Sequence, residues 1–85
     1  MNFMHSRKYL FYGDVVEVQC SHQCNIRLTT DLNFNYYKQG KPFKFYGGRF
    51  KRFPARIPAP DTGYWNITID IGGDSAEIQC AIVVS

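Results

Sequence analysis

The chain has 85 residues, of which 45% are hydrophobic and 20% are charged, and it carries a formal net charge of +3 at pH 7. This length suits one domain with a small core, and the balance of residue types excludes a collagen, a coiled coil and a fully disordered chain. Aromatic residues are unusually frequent at 16%. We expect residues 1–85 to form a single domain.

The residue types favour strands over helices. Isoleucine, valine, threonine and the aromatic residues are far more numerous than alanine, leucine, methionine and glutamate. The first group fits the pleated surface of a sheet, and the second group favours helices. The composition therefore predicts a mainly β domain.

Alternation of apolar and polar residues predicts short strands in the first half of the chain. Extended segments are expected at residues 9–12, 15–20 and 25–29. The polar residues 31–42 are expected to form a long loop with at most one short helical turn, at residues 33–39, which Gly40 would cap. A short strand at residues 43–46 would end in a turn at Gly47 and Gly48.

In the second half, the strongest pattern lies at the end. Residues 49–57 are expected to form one or two short extended pieces broken by Pro54, and residues 58–63 a rigid connector. Residues 64–71 and 76–84 alternate strictly on either side of a turn, which predicts a C-terminal β-hairpin. The fold class is therefore all-β, a compact antiparallel β-sandwich that is jelly-roll-like. The expected core comprises Val16, Val18, Ile26, Leu28, Trp65, Ile67, Ile69, Ile78, Cys80 and Ile82.

Cys20, His22 and Cys24 form the group that most resembles a metal site. In an extended chain, residues four positions apart are separated by about 13 Å, too far to bind one zinc ion or to form a disulfide. A tight turn at residues 21–23 would relax this limit, and Cys80 or His5 could then be a further ligand. We expect no metal site and no cofactor, and we expect reduced thiols, since three cysteines cannot all pair within one chain.

The chain offers little chemistry for catalysis or for membrane insertion. Neither His5 nor His22 has a recognisable nucleophile motif beside it, and no Gly-rich phosphate loop opens a predicted helix. We therefore expect no enzyme activity; a weak enzyme that uses histidine and cysteine is the third alternative for the function. No apolar run is long enough for a membrane span, and the first residues lack the apolar core of a signal peptide. These features predict a cytoplasmic protein with no membrane partner.

Charge is distributed unevenly along the chain. Residues 33–60 contain seven cations and no acidic residue, and eight of the 14 aromatic residues lie in the same stretch. Cations beside exposed aromatic rings can bind phosphates, carboxylates or stacked bases. The alternative explanation is a solvated basic face over a core that aromatic residues fill. We name residues 38–56 the basic segment; its cations are Lys38, Lys41, Lys44, Arg49, Lys51, Arg52 and Arg56.

Several short motifs resemble, in matching order, one bacterial family. They are Gly13-Asp14-Val15-Val16, Asn25-Ile26-Arg27-Leu28, Asn33-Phe34 with Tyr37 and Gly40, Tyr46-Gly47-Gly48 and Gly63-Tyr64-Trp65-Asn66-Ile67. On these motifs the chain resembles the domain-of-unknown-function family eighteen-eighty-three over residues 3–84. The resemblance implies a small, mainly β domain that is sometimes attached to Toll/interleukin-receptor-like domains. It implies no activity, cofactor or catalytic residue.

Together these observations predict an interaction or ligand-sensing module. Its basic segment would bind an acidic protein or a phosphorylated ligand, with arginines engaging anions bidentately and lysines acting as point charges. Single-stranded nucleic-acid binding is the alternative, and self-association through an edge strand is a further possibility. The predicted contact residues are Lys44, Tyr46, Arg49, Lys51 and Arg52.

Overall fold

The computed structural model describes residues 3–70 and 79–85. Within these residues the chain forms seven strands and one helix. In chain order they are β1 (Phe3–Leu10), β2 (Val15–Cys20), β3 (Cys24–Thr29), α1 (Asp31–Lys38), β4 (Tyr46–Phe50), β5 (Ala55–Pro58), β6 (Gly63–Asp70) and β7 (Cys80–Val84).

The strands form two antiparallel sheets that pack face to face. The four-stranded sheet has the order β1-β6-β3-β4, and the three-stranded sheet has the order β5-β2-β7. Neighbouring strands within each sheet run antiparallel. The predicted all-β sandwich is confirmed.

The core lies between the two sheets and agrees with the expected set. Seven of the predicted core residues are buried, and Cys80 and Ile82 are half-buried against the same cluster. Ile78 lies outside the described residues. Leu10, Cys24 and Ile57 are buried in the core as well. The seven buried residues that the sequence predicts are Val16, Val18, Ile26, Leu28, Trp65, Ile67 and Ile69.

The predicted C-terminal β-hairpin is wrong. Strand β6 pairs with β1 along one edge and with β3 along the other, so both of its edges are occupied. Strand β7 lies in the other sheet, where it pairs with β2. Alternation along a strand shows which face is buried but does not show which strand is its neighbour. Residues 71–78, which include the predicted turn, lie outside the described residues.

The stretch after β3 forms an eight-residue helix where the sequence predicts a loop with one helical turn. Thr30 caps its N-terminus, because the Thr30 hydroxyl accepts a hydrogen bond from the backbone N–H of Asn33. Gly40 follows the last turn with a φ of 73°, as predicted for a glycine that ends a helix. Helix α1 packs on the face of the four-stranded sheet that is turned away from the other sheet. No helix among the described residues is long and apolar enough to span a membrane.

Gly47 and Gly48 lie inside strand β4 and do not form the predicted turn. Gly47 has a φ of 125°, and a β-carbon at this position would overlap the carbonyl oxygen of Ile26 on strand β3. Only glycine allows the backbones of β3 and β4 to approach so closely here. The glycine pair therefore continues the strand instead of ending it.

Cys20 and Cys80 face each other across β2 and β7 and form a disulfide, with their Cα atoms 4.2 Å apart. The expectation of reduced thiols is wrong for this pair. The sequence did not show that β7 would pair with β2, so the two cysteines could not be brought together from the pattern alone. Cys24 is buried with a free thiol, and burial raises the pKa of this thiol above its ordinary value.

Candidate ligand-binding surface

The cations of the basic segment all lie on the surface. Each of the seven is exposed, and Arg56 is the one that pairs with a described acid, since its Nη2 lies 3.0 Å from Oε1 of Glu17. The ammonium group of Lys38 lies 4.7 Å from the centre of the Phe34 ring. The other five form no ion pair with a described carboxylate. Their charges are therefore available to a ligand.

The five predicted contact residues do not form one cluster. Lys44 and Tyr46 line the same cavity. Arg49 lies opposite Asn25 in the β3–β4 pairing, three positions from Tyr46, so the two side chains extend from opposite faces of strand β4. Lys51 and Arg52 follow the end of β4, and neither they nor Arg49 lines a described cavity.

A groove crosses the end of the sandwich where Tyr46 is exposed. It consists of three adjoining cavities. The β5 cavity, of about 510 Å³, is lined by Tyr12, Gly13, Tyr46, Gly47, Ile57, Pro58, Ala59 and Pro60. The middle cavity, of about 320 Å³, is lined by Thr30, Asn33, Lys44, Tyr46, Pro60, Asp61 and Trp65. The helix cavity, of about 470 Å³, is lined by Leu32, Asn33, Tyr36, Pro42, Phe43 and Lys44. We call the three together the edge groove.

Hydrogen bonds fix the walls of the middle cavity. The side-chain oxygen of Asn33 accepts the backbone N–H of Lys44 at 2.9 Å, which ties the loop after α1 to the first turns of the helix. The indole N–H of Trp65 donates to the backbone carbonyl of Asp61 at 3.0 Å. The ring of Tyr46 meets the Trp65 ring edge to face, with centroids 5.7 Å apart. The cavity is therefore built from three segments that are locked to one another.

The family described as "Domain of unknown function (DUF1883)" matches residues 1–85, the whole chain. The chain belongs to this family. The resemblance that the short motifs indicated is therefore confirmed. No curated protein and no solved structure matches the chain.

In this DUF1883 domain, most of the eight aromatic residues between positions 33 and 60 pack against other residues. Phe34 and Tyr37 are the buried residues of helix α1. Phe45 and Tyr46 are the aromatic residues of this stretch with large exposed side chains. Tyr46 is 51% exposed and the exposed fraction of Phe45 is 43%. Packing therefore accounts for most of these aromatic residues, and Phe45 and Tyr46 are left with exposed rings.

Arg27 lies in an aromatic cluster that sequence reasoning missed. Its guanidinium carbon is 5.3 Å from the centre of the Phe45 ring and 5.8 Å from those of Phe43 and Tyr37. Nη1 of Arg27 lies 3.6 Å from Oδ2 of Asp70, which also accepts the hydroxyl of Tyr37 at 3.1 Å. Burial, followed by the charge of Asp70, raises the pKa of Tyr37 to about 12. This cluster anchors the loop that carries Lys44.

A second group of exposed aromatic residues lies on β6, on β1 and directly after β1, outside the basic segment. Tyr9 contacts Phe11 and Tyr64 edge to face, with centroids 5.5 and 5.1 Å apart, and all three are more than half exposed. The Arg7 guanidinium lies 4.0 Å from the centre of the Tyr64 ring. Period-2 alternation places Tyr9 and Tyr64 on outward faces, but their contact depends on the β1–β6 pairing, which the sequence did not predict.

The cysteine and histidine group is not assembled into a metal site. Cys20 is bonded to Cys80, Cys24 is buried, and the His22 ring contacts the Ser21 hydroxyl at 2.9 Å. Among residues 3–70 and 79–85, no three histidine, cysteine, aspartate or glutamate side chains lie close enough to hold a metal ion.

Proposed function

We propose that this DUF1883 domain is a non-catalytic interaction or ligand-sensing module that binds an acidic protein or a phosphorylated ligand through its basic segment. The observation that carries the proposal is the set of six exposed cations of the basic segment without a described carboxylate partner, of which Lys44 lines a cavity together with Tyr46. Carboxylates and phosphates are the groups that such cations bind.

The number of cations matters more than any single contact. An exposed ion pair contributes only about 0.2–1 kcal/mol, because water and salt screen it. A ligand with several anionic groups can engage more than one of these exposed cations at once. We therefore expect a multivalent acidic or phosphorylated partner to bind more strongly than a single small anion.

The test follows backbone amide shifts by NMR while poly-L-glutamate, O-phosphoserine or oligothymidylate is added at ~50 and ~200 mM salt. The variants are Lys44→Gln and Arg49→Gln. The matched control is Lys8→Gln, an exposed cation on β1 outside the basic segment. Each basic-segment variant should weaken binding of poly-L-glutamate or phosphoserine about two- to five-fold, and the control should leave it unchanged.

Two results would overturn the proposal. The first is that neither poly-L-glutamate nor O-phosphoserine changes the amide shifts of residues 38–56 at ~50 mM salt, which would show that the basic segment does not bind them. The second is a loss of affinity in Lys8→Gln as large as that in Lys44→Gln, which would show that the probes are attracted by the net charge of the domain alone. Tighter binding of oligothymidylate, with a steep fall between the two salt concentrations, would favour the single-stranded nucleic-acid alternative.

We also propose a bacterial cytoplasmic location. The Cys20–Cys80 disulfide weighs against it, because the cytosol keeps most thiols reduced. Alkylating the thiols inside intact cells before lysis tests the point: a free Cys20 would favour the cytoplasm, and a protected Cys20 would contradict it. Self-association also stays a proposal, for which light scattering over a concentration series would give a constant monomer mass if it is wrong.

A further inference from the structure

We infer that the edge groove binds an extended peptide in which one acidic side chain lies between two apolar ones. The inference deepens the proposed function and rests on it, since it names the partner for the part of the basic segment that holds Lys44 and Tyr46. The remaining predicted contacts, Arg49, Lys51 and Arg52, lie outside the groove.

The order of the three cavities follows from the residues that they share. The β5 cavity and the middle cavity share Tyr46 and Pro60, and the middle cavity and the helix cavity share Asn33 and Lys44. The β5 cavity and the helix cavity have no lining residue in common. The groove is therefore a row with the middle cavity at its centre, a shape that suits an extended chain segment better than a compact molecule.

The lining chemistry differs between the centre and the two ends. Rings, prolines and aliphatic side chains make up most of the lining at the ends, such as Tyr12 and Pro58 in the β5 cavity and Leu32 and Phe43 in the helix cavity. Lys44 is the one cation that lines these three cavities, and it lies where the middle cavity meets the helix cavity, since it lines both. An apolar side chain at each end and a carboxylate at the centre would complement this pattern.

Strand β4 adds a feature that a peptide in particular can use. It lies at the edge of the four-stranded sheet and pairs only with β3 in the described structure. Tyr46 and Gly47 of this edge strand line the β5 cavity. An extended peptide in the groove can hydrogen-bond to unpaired backbone groups of an edge strand while its side chains enter the cavities.

Asp61 lies near Lys44 and has the opposite charge, so the two residues should affect peptide affinity in opposite directions. Asp61 lines the same middle cavity as Lys44, and its Oδ1 accepts the backbone N–H of Thr62 at 2.8 Å. A peptide carboxylate at the centre is attracted by Lys44 and repelled by Asp61. Removing one charge or the other should therefore change the affinity in opposite directions.

The probes are capped peptides in which a glutamate is separated from a leucine on each side by one, two or three glycine or serine residues. Matched peptides replace the glutamate with glutamine, or both leucines with serine. Emission from Trp65 reports binding, because Trp65 is the single tryptophan of the chain and lines the middle cavity. The amide shifts of Gly13 and Gly47, which line the β5 cavity, give a second measurement.

The protein variants are Lys44→Gln, Asp61→Asn and Tyr12→Ser, with Lys8→Gln as the control. All four sites are exposed, and Tyr12 is 76% exposed, so folding should be unaffected. For the glutamate peptide, Lys44→Gln should weaken binding about two- to five-fold and Asp61→Asn should strengthen it by a similar factor. Tyr12→Ser should weaken the binding of every peptide that contains leucine, and Lys8→Gln should leave the binding of all peptides unchanged.

The inference fails if Trp65 emission and the two glycine amides are unchanged at about 1 mM of every peptide. Equal affinity for the glutamate and glutamine peptides, or for the leucine and serine peptides, also contradicts it. In either case poly-L-glutamate or phosphoserine can still shift the amides of residues 49–52. That result would keep the proposed function and remove only the peptide groove.

Discussion

The side-chain amide of Asn66 donates a hydrogen bond to Oδ1 of Asp31 over 2.7 Å, and this contact joins the centre of the four-stranded sheet to the first turn of helix α1. The other end of the same amide is used as well, because Oδ1 of Asn66 accepts from Nε2 of His5 at 2.7 Å. Asn66 is only 1% exposed. A buried amide with partners at both ends fixes how the helix lies on the sheet.

Replacing Asn66 with alanine should destabilise the domain by about 1–3 kcal/mol, because the hydrogen bonds of the buried amide to His5, Asp31 and the backbone carbonyl of Thr29 are all lost. Urea unfolding followed by circular dichroism measures the change. Asn35→Ala is the matched control, since Asn35 is exposed on the same helix. A loss for Asn66→Ala no larger than that for Asn35→Ala would show that the amide does not hold the helix.

Asp31 should make the stability depend on acid pH. The hydrogen bond from Arg7, with a second from Asn66, lowers the pKa of the Asp31 carboxyl from 3.8 to about 2. A carboxyl with a lower pKa in the folded state stabilises the fold above its ordinary pKa, and this contribution is lost as the pH falls from 3.8 towards 2. Solvent reduces the effect, because the side chain is 54% exposed.

Unfolding midpoints measured across that pH range should fall less steeply in Asp31→Asn than in the wild type, and the two curves should converge at the acid end. Asp61→Asn is the matched control. Asp61 is exposed in the β5–β6 connection, and the asparagine side-chain oxygen can still accept the backbone N–H of Thr62. Curves for Asp31→Asn and the wild type that run parallel from pH 3.8 to about 2 would contradict the assignment.

Strand β6 illustrates how much of the fold the sequence could predict. Alternation correctly places Ile67 and Ile69 towards the sandwich core, because burial of one face is a local property of the strand. The same pattern places Asn66 and Thr68 outward, yet both are buried. They are buried because the helix and its neighbours cover that face, and this cover depends on contacts between distant parts of the chain.

The candidate site shows the same limit. The sequence predicted that cations and aromatic residues between 38 and 56 would share a surface, and Lys44 does share a cavity with Tyr46. It did not predict that Tyr12 and Pro60 would complete the groove, because their approach depends on how the β1–β2 and β5–β6 connections fold together. Tyr12 is held there by its backbone N–H, which donates to the hydroxyl of Thr62 at 2.8 Å.

Gly47→Ala should destabilise the domain more than Gly48→Ala. Both glycines have a positive φ, of 125° and 154°, so alanine introduces backbone strain of about 1–3 kcal/mol at either position. At Gly47 the added β-carbon also overlaps the carbonyl oxygen of Ile26, whereas at Gly48 it meets no atom within 4 Å. Urea unfolding of the two variants measures the difference. Equal losses of unfolding free energy in the two variants would mean that β3 and β4 can move apart at Gly47 without a further loss of stability.

The Cys20–Cys80 disulfide should contribute about 4 kcal/mol to stability, since it closes a loop of 60 residues in the unfolded chain. Alkylation in denaturant without reductant should modify one cysteine per chain, Cys24, and prior reduction should expose all three. Reductant should lower the urea midpoint of the wild type and of Cys24→Ala, but not that of the double variant Cys20→Ser with Cys80→Ser. Cells lysed in denaturant that contains the alkylating agent would contradict the disulfide if all three cysteines were modified before any reduction.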